Sequence, residues 1–153
     1  MLSVIRPGLQ TTLQGAPRTG YRHMGVPYAG PADELSMALA NRLVGNHAYE
    51  TSLEITFGGF EAEVTANCTL AVAGASDGVE LNGTPAPLHE SLPVQAGTTV
   101  SVAPPSHGMR AYLAIHSGFA AEPLLGSTST YLPAACGGLG GRARVTGDEL
   151  HPR

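Results

Sequence analysis

The chain has 153 residues, a length typical of one domain, and it combines 42% hydrophobic with only 13% charged residues and many turn formers (20 glycines, 12 prolines). Its net charge of -4 is spread without any basic run, which argues against a nucleic-acid partner because phosphates are neutralised by clustered cations. The chain contains eight arginines and no lysine, so a lysine Schiff base, a phosphate-loop lysine and a biotinylated lysine are excluded on this chain.

Membrane, redox and metal signals are weak. No window approaches the roughly 20 apolar residues of a membrane span, and the N-terminus MLSVIRPG lacks signal-peptide regions, so we expect a cytoplasmic protein without a membrane partner. Cys68 and Cys136 are too few for a disulfide framework and are interpreted as core or incidental thiols. The histidines show no ligand spacing, and we predict no bound metal.

The first third predicts two strands and the main helix. LSVIRPGLQTTLQ indicates a strand, a turn at Pro7-Gly8 and a second extended segment. A loop rich in Gly and Pro follows. Asp33 then stands at a helix start, and apolar residues recur at helical spacing until Gly45-Asn46, at Leu35, Ala38, Leu39 and Leu43. We predict one main helix near residues 33–44.

The remainder predicts short strands and turns. Strands are expected at residues 53–57, 60–64, 69–73, 98–102 and 110–115, with a hairpin turn at Asn82-Gly83. The last third is a loop followed by a short strand, and its run Gly137–Gly141 lacks the lysine of a phosphate loop. Short strands at about ten-residue spacing predict a mainly β fold, a closed or nearly closed barrel.

The stretch RTGYRHMGVPYAGPADELSMALANRLVG carries the densest chemistry. Arg22 offers a guanidinium fork for a carboxylate or phosphate, and His23 beside it offers an imidazole that moves protons near neutral pH. On an extended strand neighbouring side chains face opposite ways, so the two share a pocket only if the backbone turns there. A catalytic pair next to Tyr21 and a structural Arg with a loop histidine both fit the sequence.

Other candidate residues also have two interpretations. Asp33 is a general base or an ion-pair partner of Arg22, or else it caps the helix, which its position favours. Hydroxyls at Ser127, Thr128, Ser129 and Thr130 bind a polar ligand or satisfy turn backbones. No Gly-x-Ser-x-Gly elbow accompanies them, which argues against a serine nucleophile.

Five blocks, in order along the chain, resemble one family. They are RPGLQTTLQ, GYRHMGVPYAGPADELSMALANRLVGN, LEITFGG, GSTSTYLPAACGGLGGRA and GDEL. They resemble the N-terminal half of the allophanate hydrolase subunit 2 family, which is biotin-dependent carboxyltransferase-like. The family includes the C-type subunit of the ATP-dependent 5-oxoprolinase, the antagonist of a sporulation-kinase inhibitor, and part of urea carboxylase.

The resemblance implies a cyclophilin-like β-barrel and a role, as part of a 5-oxoprolinase C-type subunit, in ATP-dependent hydrolysis of 5-oxo-L-proline to L-glutamate. The implied partners are a homologous subunit 1, or B-type subunit, together with an A-type subunit. ATP is expected to be bound jointly with these partner subunits, and no biotin is expected on this chain. On this hypothesis Arg22 holds a carboxylate or phosphorylated intermediate and His23 assists proton transfer. The proposed substrate-binding residues are Tyr21, Asp33, Ser127, Ser129 and Thr130.

Departures from the family pattern leave two alternatives open. Gly15 replaces the usual Asp after TTxQ, and Thr128 replaces an Arg within GSxST. Family members are also about twice as long. Residues 1–153 are therefore expected to form a single domain that corresponds to the N-terminal half of the family. The chain is then a truncated protein, a gene fragment or one piece of a split protein, and it is expected to be inactive alone. The alternatives are a non-catalytic regulatory module that binds subunit 1 and a part of a urea carboxyltransferase.

Overall fold

The structure, a computed structural model, describes all residues 1–153 and contains short strands, one α-helix and two single-turn 3-10 helices. In chain order these are β1 (Leu2–Pro7), β2 (Gln10–Gln14), a 3-10 turn (Arg22–Met24), α1 (Glu34–Leu43), β3 (Ser52–Thr56), β4 (Phe60–Val64), β5 (Cys68–Gly74), β6 (Val79–Leu81), β7 (Thr84–Ala86), β8 (Leu92–Val94), β9 (Thr99–Val102), β10 (Arg110–Ile115), a second 3-10 turn (Leu132–Ala134) and β11 (Glu149–Leu150). The predicted strands and helix are present. Strand β8 and both 3-10 turns were not predicted.

Two antiparallel sheets face each other across the main core. Their strand orders are β11-β1-β4-β9-β6-β7 and β2-β3-β10-β5-β8. Twenty buried residues fill the space between them, among them Leu53, Phe60 and Leu113. The predicted mainly β barrel with one main helix is confirmed.

Helix α1 packs on the outer face of the five-stranded sheet. Met37 and Ala40 of the helix, and Val44 directly after it, form a second buried cluster with residues that include Ala71 and Ala73 of β5. Because alanines leave room, the helix lies close against the strands. The apolar stripe that predicted the helix points partly away from this contact, since Leu35 is 80% and Leu39 41% exposed.

A two-residue turn joins β6 and β7 as the sequence predicted. Leu81 pairs with Thr84, which leaves Asn82 and Gly83 as the turn. Their φ angles of 52° and 75° are both positive, the conformation that an Asn-Gly pair adopts readily.

Three of the four sheet edges, those of β7, β8 and β2, are protected in two ways. The outer strands β7 and β8 carry Pro85 and Pro93. The free edge of β2 is covered by the last third of the chain, where the amide of Thr130 donates to the Leu13 carbonyl at 2.9 Å and that of Arg144 to the Thr11 carbonyl at 2.8 Å. None of the helices combines the length and apolar character that crossing a membrane requires.

Candidate functional site

The loop between β2 and α1, residues 15–33, contains most of the predicted site and is called the signature loop. Its first half is anchored by Arg18, which is fully buried. Nε of Arg18 donates to the Leu124 carbonyl at 3.0 Å and Nη2 to the Ser129 carbonyl at 2.9 Å, while its amide donates to the Tyr28 carbonyl at 2.6 Å. The guanidinium therefore ties the loop to the segment that covers β2.

The second half of the loop is anchored by two buried side chains of the five-stranded sheet. Glu54 on β3 accepts from the Ala32 amide at 2.8 Å, and the Tyr112 hydroxyl on β10 accepts from the Asp33 amide at 2.8 Å. The same hydroxyl donates to Glu54 at 2.6 Å. Burial, reinforced by Glu54, raises the pKa of Tyr112 above its ordinary range, so this phenol keeps the proton that it donates.

Asp33 caps helix α1. Its carboxylate accepts from the Ser36 amide at 3.0 Å and also from the Ser36 hydroxyl. These two bonds lower the pKa of the Asp33 carboxyl, which holds it in the anionic form that suits a helix N-terminus. Of the interpretations that the sequence allowed, the cap is the one that the structure contains; its participation in substrate binding stays a prediction.

The backbone turns at Arg22 and His23, as a shared pocket would require. The 3-10 turn is closed by the Met24 amide on the Tyr21 carbonyl and the Gly25 amide on the Arg22 carbonyl, both at 3.0 Å. Arg22 and His23 are exposed, Tyr21 is half-buried, and none of the three lines a cavity. The Arg22 and His23 side chains form no hydrogen bond or ion pair within the chain, and their catalytic role stays a prediction.

Three of the four hydroxyls in the segment 127–130 are bonded to main chain. Ser127 donates to the Ala16 carbonyl at 2.6 Å, Ser129 to the Gly15 carbonyl at 3.0 Å, and Thr130 to the Leu13 carbonyl at 2.9 Å. All three residues are buried and none lines a cavity. Their hydroxyls therefore fasten the end of β2 and the start of the signature loop; substrate binding by them stays a prediction.

Thr128 is the exception in that segment, and sequence reasoning missed its partner. Its Oγ1 lies 2.8 Å from Oγ1 of Thr51. Both threonines line a cavity of about 480 Å³, here called the threonine cavity, which Ala16 of the signature loop also borders. The sequence did contain one signal for this difference: side chains alternate in direction along an extended segment, so Thr128 faces away from Ser127 and Ser129.

Further polar groups line the threonine cavity in pairs. Glu50 forms an ion pair with Arg153 at 3.0 Å. The Tyr49 hydroxyl donates to Glu34, at the start of α1, at 2.6 Å. His47 also borders the cavity and is exposed. The cavity thus brings hydroxyl, phenol, imidazole and carboxylate groups next to the signature loop.

The largest cavity, about 820 Å³, is lined by Cys68 and His116, which do not form a nucleophilic pair. Cys68 packs against the main core, whereas Nδ1 of His116 lies 2.9 Å from the Val44 carbonyl at the end of α1, on the other face of the sheet. Burial raises the pKa of the Cys68 thiol, which disfavours the reactive thiolate. No group of three or more His, Cys, Asp or Glu side chains is placed to hold a metal ion.

Comparison with known proteins identifies the family. Residues 24–153 match the carboxyltransferase domain, subdomain A and B. The chain is 39% identical to the C-type subunit of 5-oxoprolinase from Escherichia coli over 98% of its own length and 48% of that protein, and 36% identical to urea amidolyase of Saccharomyces cerevisiae over 97% and 8%. The crystal structure of Kluyveromyces lactis urea carboxylase superposes with a TM-score of 0.94 at 39% identity, covering 97% of this chain and 13% of that one.

The chain spans about half the length of the 5-oxoprolinase polypeptide that it matches. The resemblance drawn from the five sequence blocks is confirmed by these relatives, and the barrel is confirmed by the superposition. The chain belongs to the family of the carboxyltransferase domain, subdomain A and B.

Proposed function

We propose that this chain is part of a 5-oxoprolinase C-type subunit, which acts together with partner polypeptides in the ATP-dependent hydrolysis of 5-oxo-L-proline to L-glutamate. The observation that carries the proposal is the 39% identity to the 5-oxoprolinase C-type subunit, which extends along 98% of the chain. The proposed partners are a homologous B-type subunit, or subunit 1, together with an A-type subunit.

The signature loop supports a role shared with another polypeptide. Arg18 anchors one half of the loop, and Glu54 and Tyr112 anchor the other, so the turn that carries Arg22 and His23 is presented from a fixed base. Neither of these two side chains has a partner within the chain, and both are exposed. A guanidinium and an imidazole displayed in this way are available to groups that another polypeptide contributes.

The chemistry favours the same division of labour. In the reaction that we assign, the carbonyl oxygen of the lactam takes the terminal phosphoryl group of ATP and ADP leaves. Water then adds to the carbonyl carbon, the C–N bond breaks to leave an acyl phosphate, and a second water releases phosphate and the new carboxylate. An arginine stabilises the phosphorylated intermediates by bidentate hydrogen bonds. The chain has no lysine for the nucleotide phosphates. We therefore assign most of the ATP contacts to the partner polypeptides, and to Arg22 and His23 the binding of the anionic intermediate and the transfer of a proton.

The test is reconstitution with the partner polypeptides. The chain is co-expressed with the A-type and B-type subunits, and glutamate release from 5-oxoproline is measured with ATP for Arg22→Ala and His23→Ala. We expect kcat to fall about 100-fold or more in His23→Ala, the usual contribution of general acid–base catalysis, and KM to rise in Arg22→Ala. Arg6→Ala and His151→Ala, which change exposed residues elsewhere, serve as controls and should keep full turnover.

Unchanged turnover in both loop variants would remove Arg22 and His23 from the mechanism. Loss of the assembled complex, measured by co-purification, would assign them to assembly instead. Absence of 5-oxoproline hydrolysis by the complete wild-type assembly would refute the proposed function.

A second candidate, transfer of a carboxyl group to urea, is favoured by the 39% identity and TM-score of 0.94 with urea carboxylase. Biotin would have to be carried outside residues 1–153, because biotin is attached to lysine and these residues contain none. The two candidates separate in one assay: the assembly is supplied with ATP and either 5-oxoproline or urea with bicarbonate, and the substrate that drives ADP formation identifies the reaction.

A further inference from the structure

We propose that the threonine cavity is a binding site for an amide group, an N–H beside a C=O, in a small lactam or urea. The choice of ligand rests on the proposed function, because both candidate substrates contain this group. The site itself is inferred from the geometry of Thr51 and Thr128, which is separate from that of Arg22 and His23.

The main-chain bonds of its neighbours direct Thr128 into the cavity. Ser127 and Ser129 point their hydroxyls at the carbonyls of Ala16 and Gly15, and they also fix the segment at this place. In an extended segment the side chain between them faces the opposite way. Thr128 is thereby held against Thr51, the only hydrogen-bond partner of its hydroxyl in the chain.

The hydroxyl pair has unused hydrogen-bonding capacity. Each threonine has one O–H and two lone pairs, and the bond between them uses one proton and one lone pair. One O–H therefore has no acceptor in the chain. It lies at the wall of the threonine cavity, where the acceptor of a ligand can reach it.

An amide matches this capacity on both sides. The free O–H donates to the amide carbonyl, and the amide N–H donates to a lone pair of the other threonine. The two Oγ1 atoms are 2.8 Å apart, which sets a donor and an acceptor side by side as a lactam or urea requires. The cavity volume of about 480 Å³ is within the usual range for small-molecule sites.

The charges around the cavity favour an uncharged group at the threonines. Glu50 is paired with Arg153, and Tyr49 is bonded to Glu34. Phe119 adds an apolar wall. The charges of Glu50 and Arg153 therefore offset each other beside the hydroxyl pair.

Gly15 lies next to the hydroxyl pair, at a distance that only glycine allows. A Cβ at this position would lie 2.1 Å from the Thr128 hydroxyl oxygen and 3.5 Å from that of Thr51. A methyl group would therefore displace the Thr128 hydroxyl. Gly15→Ala is accordingly a steric probe of the pair that removes neither threonine.

The test is direct binding to the purified chain, followed by amide chemical shifts in NMR. Titration with 2-pyrrolidinone, 5-oxoproline and urea should give saturable shifts at residues 15–16, 49–51 and 126–128. Thr51→Val and Thr128→Val should weaken binding about tenfold or more, since each removes a hydrogen bond worth about one factor of ten. Gly15→Ala should weaken binding because its methyl group displaces the Thr128 hydroxyl. Thr146→Val, whose hydroxyl donates to the Ile5 carbonyl elsewhere, is the matched control and should bind normally.

Cyclopentanone, which has the carbonyl without the N–H, separates amide recognition from filling of the cavity. It should bind about tenfold more weakly than 2-pyrrolidinone. Equal affinity for the two rings, shifts at other residues, or no saturable shift for any amide would overturn the proposal. The variants' spectra without ligand show whether each is folded.

The relative affinities of 5-oxoproline and urea distinguish the two sources of the amide group. Binding at the cavity without hydrolysis by the assembled complex would refute the proposed function and leave the site standing. Hydrolysis that is unaffected by Thr51→Val and Thr128→Val would refute the site and leave the function standing.

Discussion

Replacement of Tyr112 by Phe isolates the buried hydroxyl that anchors the signature loop. The hydroxyl donates to Glu54 at 2.6 Å and accepts from the Asp33 amide at 2.8 Å. A hydrogen bond to a charged group contributes about 1.5–3 kcal/mol, and leaving a buried donor unpaired costs about 1–3 kcal/mol. Because Phe keeps the ring and Asp33 is half-buried, we expect a loss of about 2–4 kcal/mol in the free energy of unfolding.

The assay is urea unfolding followed by circular dichroism. With a urea dependence of about 2 kcal/mol per molar, this loss lowers the midpoint by about 1–2 M. The matched control is Tyr49→Phe, because Tyr49 also donates to a glutamate at 2.6 Å, but at an exposed position. The control should leave the midpoint unchanged, since exposed groups exchange such bonds with water.

Equal shifts of the urea midpoint in the two variants, or no shift in Tyr112→Phe, would refute the importance of burial for this anchor.

The pH dependence of stability gives a second measurement of the Tyr112 contribution. Because the pKa of Tyr112 is raised in the folded state, its contribution is fully present below the ordinary tyrosine value of about 10 and is lost as the pH rises above that value. Tyr112→Phe should lack this alkaline component.

Two further predictions concern Asp33 and Cys68. Asp33→Ala should lower the free energy of unfolding by about 1 kcal/mol, the usual value of an N-cap. Because the pKa of Asp33 is lowered, this contribution is present above about pH 3.9 and is lost as the pH falls through the folded-state pKa. Asp33→Asn should keep the cap without this acid dependence. An unchanged acid transition in the Asn variant would contradict the assignment. The raised pKa of Cys68 predicts alkylation by iodoacetamide more slowly than free cysteine near neutral pH, measured by mass spectrometry, and a rate equal to that of free cysteine would refute this.

Elements with local signals were predictable from the sequence. Asp33 marks the helix start because its carboxylate bonds to an amide three residues later. Asn82-Gly83 marks the hairpin because both residues tolerate positive φ. Such signals act within one turn and do not depend on the rest of the fold.

The anchors of the signature loop were not predictable in the same way. Glu54 lies in a strand that alternates apolar and polar residues, a pattern typical of a strand with one exposed face. In the fold helix α1 covers that outer face, so Glu54 is buried and bonds to Tyr112, 58 residues away. The residues around Glu54 in the chain carry no local sign of this contact.

The segment 127–130 shows the same limit. Its composition suggested either ligand hydroxyls or turn hydroxyls, and the partners that decide between them are more than a hundred residues distant at Ala16, Gly15 and Leu13. Only the fold shows that Thr128 differs from its neighbours.

The prolines at the sheet margins constrain how this barrel assembles with other polypeptides. A foreign strand laid alongside β7 or β8 would meet Pro85 or Pro93, each of which lacks the amide proton for a continuous hydrogen-bond ladder. Side-by-side growth of sheets from several molecules, the route to fibrils, is hindered for the same reason. At these two edges, contacts with other polypeptides should therefore be made through side chains and not through an added strand.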